Sequence, residues 1–328
     1  MNKTVKYVSH TCWGIMLMVF ILLIGGSCRN EQTENTRQLT PEEQRLEAIE
    51  RMDSTFLWVQ SHAEGMQGWI ADSLARWDER MDSLSAEAWL LVEDSTGLII
   101  SAKNADQRMY MASITKMMTC LLALENGNLD DSIKITPDVY TTSDARVKVG
   151  DGYTVGNMIR EMMMLSDNNA AYALAKYVGG DTLTFYRMMN EKAAYLGMNG
   201  THFANPNGMP NDSNYSTAYD LLRLSRYCMR NPAFAEIVST ASADIPLLDG
   251  RHLPCQNTNA LLGRYEGCIG IKTGFTRQAG NCLASAATRN GFTLYLILLK
   301  SKSYASRFSE SATLLDYGFQ VIETFQKN

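Results

Sequence analysis

Ser113 and Lys116 stand three residues apart in Met111-Ala-Ser-Ile-Thr-Lys116, at the head of an apolar run (Met117, Met118, Cys120, Leu121, Leu122, Leu124). The run predicts a helix that stops at Gly127. On a helix such a pair shares one face, which brings the lysine amine within reach of the serine hydroxyl. A serine hydroxyl is a weak nucleophile until a base takes its proton, and a neutral lysine is such a base. At the first turn of a helix, unpaired backbone N–H groups are also available to hold a developing oxyanion. The spacing alone is common on solvated helix surfaces, so its meaning depends on what else the chain supplies.

Two later stretches supply more. Ser166-Asp-Asn168 follows the apolar Met162-Met-Met-Leu165, and Lys272-Thr-Gly274 closes a short β-like run. Each alone reads as a helix-end turn or a solvated strand end. Other chemistries are poorly provided for. The four histidines (His10, His62, His202, His252) are scattered without metal-ligand spacing, which argues against a zinc site or a Ser-His-Asp triad, and no cofactor is expected. A net charge of −5 without a Lys/Arg cluster argues against nucleic acid as a partner.

These residues need elements to hold them. Ala88–Asp94 and Leu98–Ala102 predict a hairpin around Asp94-Ser-Thr-Gly97. Helices are predicted at 155–165, 170–178, 183–196 and 218–229. From Ile269 the period changes: 269–273, 282–288 and 292–299 read as strands, with an Arg289-Asn-Gly291 turn, and 308–325 as a closing helix. The prediction is an α+β fold: one antiparallel sheet flanked by helices, plus an all-helical lobe at roughly 128–240.

The N-terminal region has a different character. Lys3 and Lys6 precede an apolar run from Trp13 to Ile24, and Gly25-Gly-Ser-Cys28 follows. This resembles a bacterial lipoprotein signal, with Gly25 as a departure from the usual aliphatic residue, and implies lipid attachment at Cys28. The expected organisation is a signal at 1–27, a polar tether at 28–40, a helical segment at 41–85 and a catalytic domain at 86–328. The body is expected to be exported to the periplasm and lipid-anchored to a membrane. Five cysteines remain (Cys120, Cys228, Cys255, Cys268, Cys282); an odd count excludes full internal pairing and leaves a Cys255–Cys268 disulfide open.

Ser-x-x-Lys, Ser-Asp-Asn and Lys-Thr-Gly together are the signature of penicillin-binding proteins and class A β-lactamases. With Thr201-His-Phe-Ala-Asn-Pro-Asn-Gly208, Tyr215-Ser-Thr-Ala-Tyr-Asp220, Thr258-Asn-Ala-Leu-Leu-Gly263 and Gly270–Thr276, the chain from about residue 86 to 322 resembles the serine D-alanyl-D-alanine carboxypeptidases, low-molecular-mass penicillin-binding proteins with the β-lactamase-like fold. The resemblance implies Ser113 as nucleophile, Lys116 as base and Ser166 as proton relay. It implies Asn168, Lys272 and Thr273 as substrate-binding residues, and the N–H groups of Ser113 and Phe275 as oxyanion hole. Lys116 must then be neutral, which burial and a second ammonium at Lys272 would favour. Implied partners are peptidoglycan stem peptides and β-lactams, and the implied setting is cell-wall assembly. The β-lactamase alternative lacks its Glu-x-x-Leu-Asn loop here. Ser-Asp-Asn in place of the frequent Ser-Gly-Asn leaves an endopeptidase open. A non-catalytic peptidoglycan-binding scaffold would not need Ser113 and both lysines.

Overall fold

The computed structural model describes residues 80–140 and 146–326. The expected signal, the tether, Cys28 and nearly all of the 41–85 segment lie outside those residues. At the centre is a five-stranded antiparallel sheet, ordered β2-β1-β9-β8-β7. The strands are β1 (Ala88–Glu93), β2 (Ile99–Lys103), β7 (Cys268–Thr276), β8 (Gly280–Arg289) and β9 (Phe292–Ser301). The last two join at Asn290 and Gly291, both at positive φ (51° and 83°), as a tight hairpin turn requires.

Both faces of the sheet are covered, and the period-two alternation of its strands divides the core. On β1, Ala88, Leu90 and Val92 enter one cluster while Trp89 and Leu91 enter the other; on β9, Tyr295, Ile297 and Leu299 alternate with Leu294, Leu296 and Leu298 in the same way. The second cluster is closed by a long helix, α7 (Tyr304–Gln326), through Leu314, Leu315, Tyr317, Phe319 and Ile322. Met81 and Leu84 already pack there, and Ser85 gives its N–H to Glu310 Oε1 (2.7 Å), so the packed body reaches back before Ala86.

The first cluster is the helical lobe. Its axis is α1 (Lys116–Asn126), buried on every side from Lys116 to Ala123, as befits a helix with no polar face at its head. Around it lie α2 (Val155–Leu165), α3 (Asn168–Gly179), α4 (Thr182–Tyr195), α5 (Ala218–Met229) and α6 (Pro232–Ser239). Thr154, Asp167, Asp181, Thr217 and Asn231 each cap one of the helices α2 to α6 with a side-chain oxygen. Met162, Met163 and Met164 are core filling.

Two small hairpins were not expected: β3 (Ser132–Lys134) with β4 (Gly152–Thr154), and β5 (Ser242–Pro246) with β6 (His252–Gln256). Three-residue strands are too short to show a period. Pro246 and Pro254 argue against strands, yet fit here because a two-stranded ribbon is all edge. The Cys255–Cys268 disulfide does not form; all five cysteines among the described residues are free thiols.

Candidate active site

Ser113 lies where three elements meet: the head of α1, the edge strand β7 and the loop around Asn207. It is half-buried, in a single 3₁₀ turn (Ala112–Thr115) that leads into α1, and so precedes the α-helix proper. In a 3₁₀ turn residues three apart eclipse, which stacks Lys116 over Ser113 more directly than an α-turn does. Two glycines press on this turn. A Cβ on Gly208 (φ 83°) would sit 1.9 Å from Ala112 O, and one on Gly274 would sit 2.9 Å from Met111 O and 3.2 Å from Ser113 N. The turn is thus clamped between loop and strand, with Ala112 itself held at φ 48°.

Lys116 is fully buried, and its Nζ meets three oxygens: Ser113 Oγ (2.9 Å), Asn168 Oδ1 (2.8 Å) and the Asn207 carbonyl (2.8 Å). A neutral amine has two N–H donors and one lone pair. The amide oxygen and the carbonyl can only accept, so they take the donors and the lone pair is left facing the Ser113 hydroxyl. Burial lowers the lysine to about 7, with Asp167 and Glu161 opposing the shift. Burial, one of the two expected causes, leads the shift and leaves Lys116 neutral above about pH 7; Lys272 is driven well below its usual range by burial first, then by Lys116 and Arg307.

Ser166 and Asn168 come from the junction of α2 and α3. Ser166 ends α2 in the left-handed region (φ 64°, ψ 31°), unusual for a residue with a Cβ. Asp167 braces the turn. Its Oδ1 accepts from Asn169 N (2.8 Å) and Ala170 N (3.1 Å), and its Oδ2 accepts from Arg146 N (2.8 Å) and Val147 N (3.4 Å). Asn168 is left to hold Lys116 through its oxygen, while its nitrogen lies 3.8 Å from Met209 Sδ.

The third wall is β7. Lys272 is buried, with Nζ 3.2 Å from the Thr273 carbonyl. Thr273 Oγ1 shares a 2.7 Å hydrogen bond with Thr258 Oγ1, and Thr258 N donates to Met164 O (3.0 Å), which ties the strand to the end of α2. Arg307, from the first turn of α7, donates to Gly274 O (3.1 Å) and lies over the edge-to-face pair Tyr304 and Phe308. Phe275 follows directly after the glycine that abuts Ser113, and its ring is exposed.

Ser113, Lys116, Asn168, Lys272 and Thr273 are thus brought together by three separate stretches. Asn207, Thr258, Asp167 and Arg307 had no assigned role in the sequence. The first three fall within motifs already notable as strings, which is the signal that was present. Arg307 had none, because only tertiary packing lays the α7 terminus against Gly274. His202 is structural: its backbone pairs with Tyr215 and its ring with the Ser213 carbonyl.

A family model described as D-alanyl-D-alanine carboxypeptidase matches residues 76–303. The carboxypeptidase DacF of Bacillus subtilis is 29% identical over 246 residues, covering 73% of this chain and 63% of that protein, so the chain spans less than two thirds of this relative. DacB2 of Mycobacterium tuberculosis is 34% identical over 243 residues, covering 71% and 82%. The crystal structure of a Streptomyces DD-transpeptidase aligns with a TM-score of 0.69 at 33% identity, covering 73% of this chain and 98% of that one.

Proposed function

The chain belongs to the D-alanyl-D-alanine carboxypeptidase family of serine DD-peptidases, and from that premise we propose that it removes the terminal D-alanine of peptidoglycan stem peptides through an acyl-enzyme on Ser113. The observation that carries this is the Lys116 amine held by Asn168 and Asn207 against the Ser113 hydroxyl. Lys116 takes the Ser113 proton as Oγ attacks the carbonyl of the penultimate D-alanine. The oxyanion is received by the N–H groups of Ser113 and Phe275. When the C–N bond breaks, Ser166 passes a proton to the departing D-alanine, and water later hydrolyses the ester.

The substrate ends in a carboxylate, and the β7 end is where positive charge collects. Lys272, Thr273 and Arg307 bind that group; its negative charge restores the proton that burial makes costly for Lys272. The same attack opens a β-lactam ring, whose leaving nitrogen stays tethered, so the acyl-enzyme persists. The loop beside Lys116 offers it the Asn207 carbonyl, and its sequence carries no Glu-x-x-Leu-Asn motif to activate a deacylating water, which favours slow release of penicillin.

The reading extends to location. A basic start, an apolar run and Gly25-Gly-Ser-Cys28 support export to the periplasm and a lipid on Cys28 that holds the enzyme at a membrane. Recovery of Cys28→Ala in the membrane fraction would count against the anchor. For the activity, the test is incubation with fluorescent penicillin, then product analysis on a pentapeptide ending in D-Ala-D-Ala and on a crosslinked muropeptide. A covalent adduct and released D-alanine are expected. Absence of any adduct would overturn the reading, and cleavage of the crosslink alone would make the enzyme an endopeptidase.

A further inference from the structure

Arg307 is almost wholly buried, yet among the described residues no carboxylate forms an ion pair with it. Its Nε is buried without a hydrogen-bond partner. The guanidinium lies instead over Tyr304 (5.0 Å from the ring centre) and Phe308 (4.6 Å), whose rings meet edge to face at 5.2 Å. Ring faces attract a cation without neutralising it. A buried cation without an acid is costly, so the destination of its donors is informative.

They go to backbone. Arg307 Nη1 is 3.1 Å from Gly274 O and 3.5 Å from Cys282 O. Gly274 of β7 is paired with Cys282 of β8, so the arginine bridges the two strands at that rung. The Gly274 carbonyl shares one planar peptide unit with the Phe275 N–H, and in a trans unit the two point in opposite directions. With the oxygen turned to Arg307, the N–H is turned away from it. The same glycine abuts the nucleophile turn, since a Cβ on it would sit 3.2 Å from Ser113 N and 3.1 Å from Ala112 Cβ. The peptide that carries the Phe275 N–H is thus held between Arg307 and the Ser113 turn. β7 is also the edge of the sheet, with a neighbouring strand on one side only, so its ladder constrains this peptide less than it would in a central strand.

We propose that Arg307 is a positioning residue for the oxyanion hole: by donating to Gly274 O it fixes the plane of the 274–275 peptide and so aims the Phe275 N–H at the tetrahedral intermediate on Ser113. The inference rests on the functional reading above, which gives the Phe275 N–H to that oxyanion. A charged donor on the carbonyl also polarises the peptide and strengthens the N–H as a donor. The Tyr304–Phe308 pair supports the arginine without competing for it, whereas a carboxylate in that place would draw the guanidinium off the Gly274 oxygen. This role is distinct from the carboxylate contact assigned to Arg307 above. That contact acts on the binding of substrate, and this one acts on the acylation step.

The experiment follows acylation by fluorescent penicillin over a range of concentrations in the wild type, R307L, R307M and Y304L, with a thermal melt of each. The saturated rate should fall about tenfold or more in R307L and R307M, because a misaligned oxyanion donor loses much of what it contributes. Y304L keeps the guanidinium but removes one of its two rings, and its saturated rate should fall about threefold. Loss of a carboxylate contact alone would raise the half-saturating concentration and leave the saturated rate at its wild-type value; that outcome in R307L overturns the proposal. A purely structural role would lower the melt and leave the saturated rate of the folded fraction unchanged, which overturns it equally. If R307L does not fold, the saturated rate of R307M, which keeps an unbranched stem, decides. Failure of the wild type to form an adduct would overturn the functional reading instead, so the two failures are distinct.

Discussion

The two faces of the sheet bury different things. Against α7, Trp89, Leu91, Leu294, Leu296 and Leu298 meet Leu314, Leu315 and Ile322, and the Trp89 indole N–H is satisfied by Ser101 Oγ at 2.9 Å. Against the helical lobe, the same strands meet an apolar cluster that also encloses Lys116 and Glu161, with Lys272 at its β7 margin. Each buried ionisable group there opposes folding, because its desolvation exceeds what imperfect pairing returns. The α7 face supplies the stability that lets the lobe face carry such groups, and only the lobe face opens on the cleft. The comparison separates residues that hold the molecule together from residues that give it chemistry.

The sharpest test of that division is Ser113→Ala. Acylation should fall by about 10⁴-fold or more with the melt nearly unchanged; a penicillin adduct surviving in this variant would remove Ser113 as nucleophile. Leu296→Ala should do the reverse. Leu296 is fully buried in the α7 cluster, and its truncation should cost about 2–5 kcal/mol by denaturant titration. The folded fraction should acylate at the wild-type rate, and a large rate change would mean that the faces are not independent.

The pH profile tests the lobe face without mutation. Lys116 is lowered to about 7, so the base is neutral above that pH and protonated below it. Acylation should rise about tenfold per pH unit below 7 and level off above. A profile still rising steeply near the ordinary lysine range would show that burial does not neutralise Lys116. The smallest effect is expected from Thr258→Val, which removes the hydroxyl partner of Thr273. KM for a peptide ending in D-Ala-D-Ala should rise about fivefold with kcat little changed; a fall in kcat alone would place Thr258 in the chemistry.

Much of the frame was legible beforehand. The helices at 155–165 and 218–229 appear with those bounds, and the strands from β7 to β9 are each longer than expected by two to four residues. Long periodic segments declare themselves because one face must be buried. The β3–β4 and β5–β6 hairpins did not, being short or proline-bearing, and they depend on the lobe they pack against. For the site, the residue types and their order were legible, since Ser113, Lys116, Ser166, Asn168, Lys272 and Thr273 fall in three compact strings.

By itself, then, the sequence determined which groups are present and which elements carry them, because motif chemistry and hydrophobic period are local properties. Tertiary structure decided the protonation and the company of those groups. Nothing local says that Lys116 is sealed from water between Asn168 and Asn207, or that Lys272 is buried and driven well below its usual range. Nor does it say that Arg307 reaches Gly274 from the far end of the chain, or that Glu161 is buried without a hydrogen bond. Desolvation and charge coupling depend on distances across the fold, and those exist only once α1, α2 and β7 have packed together.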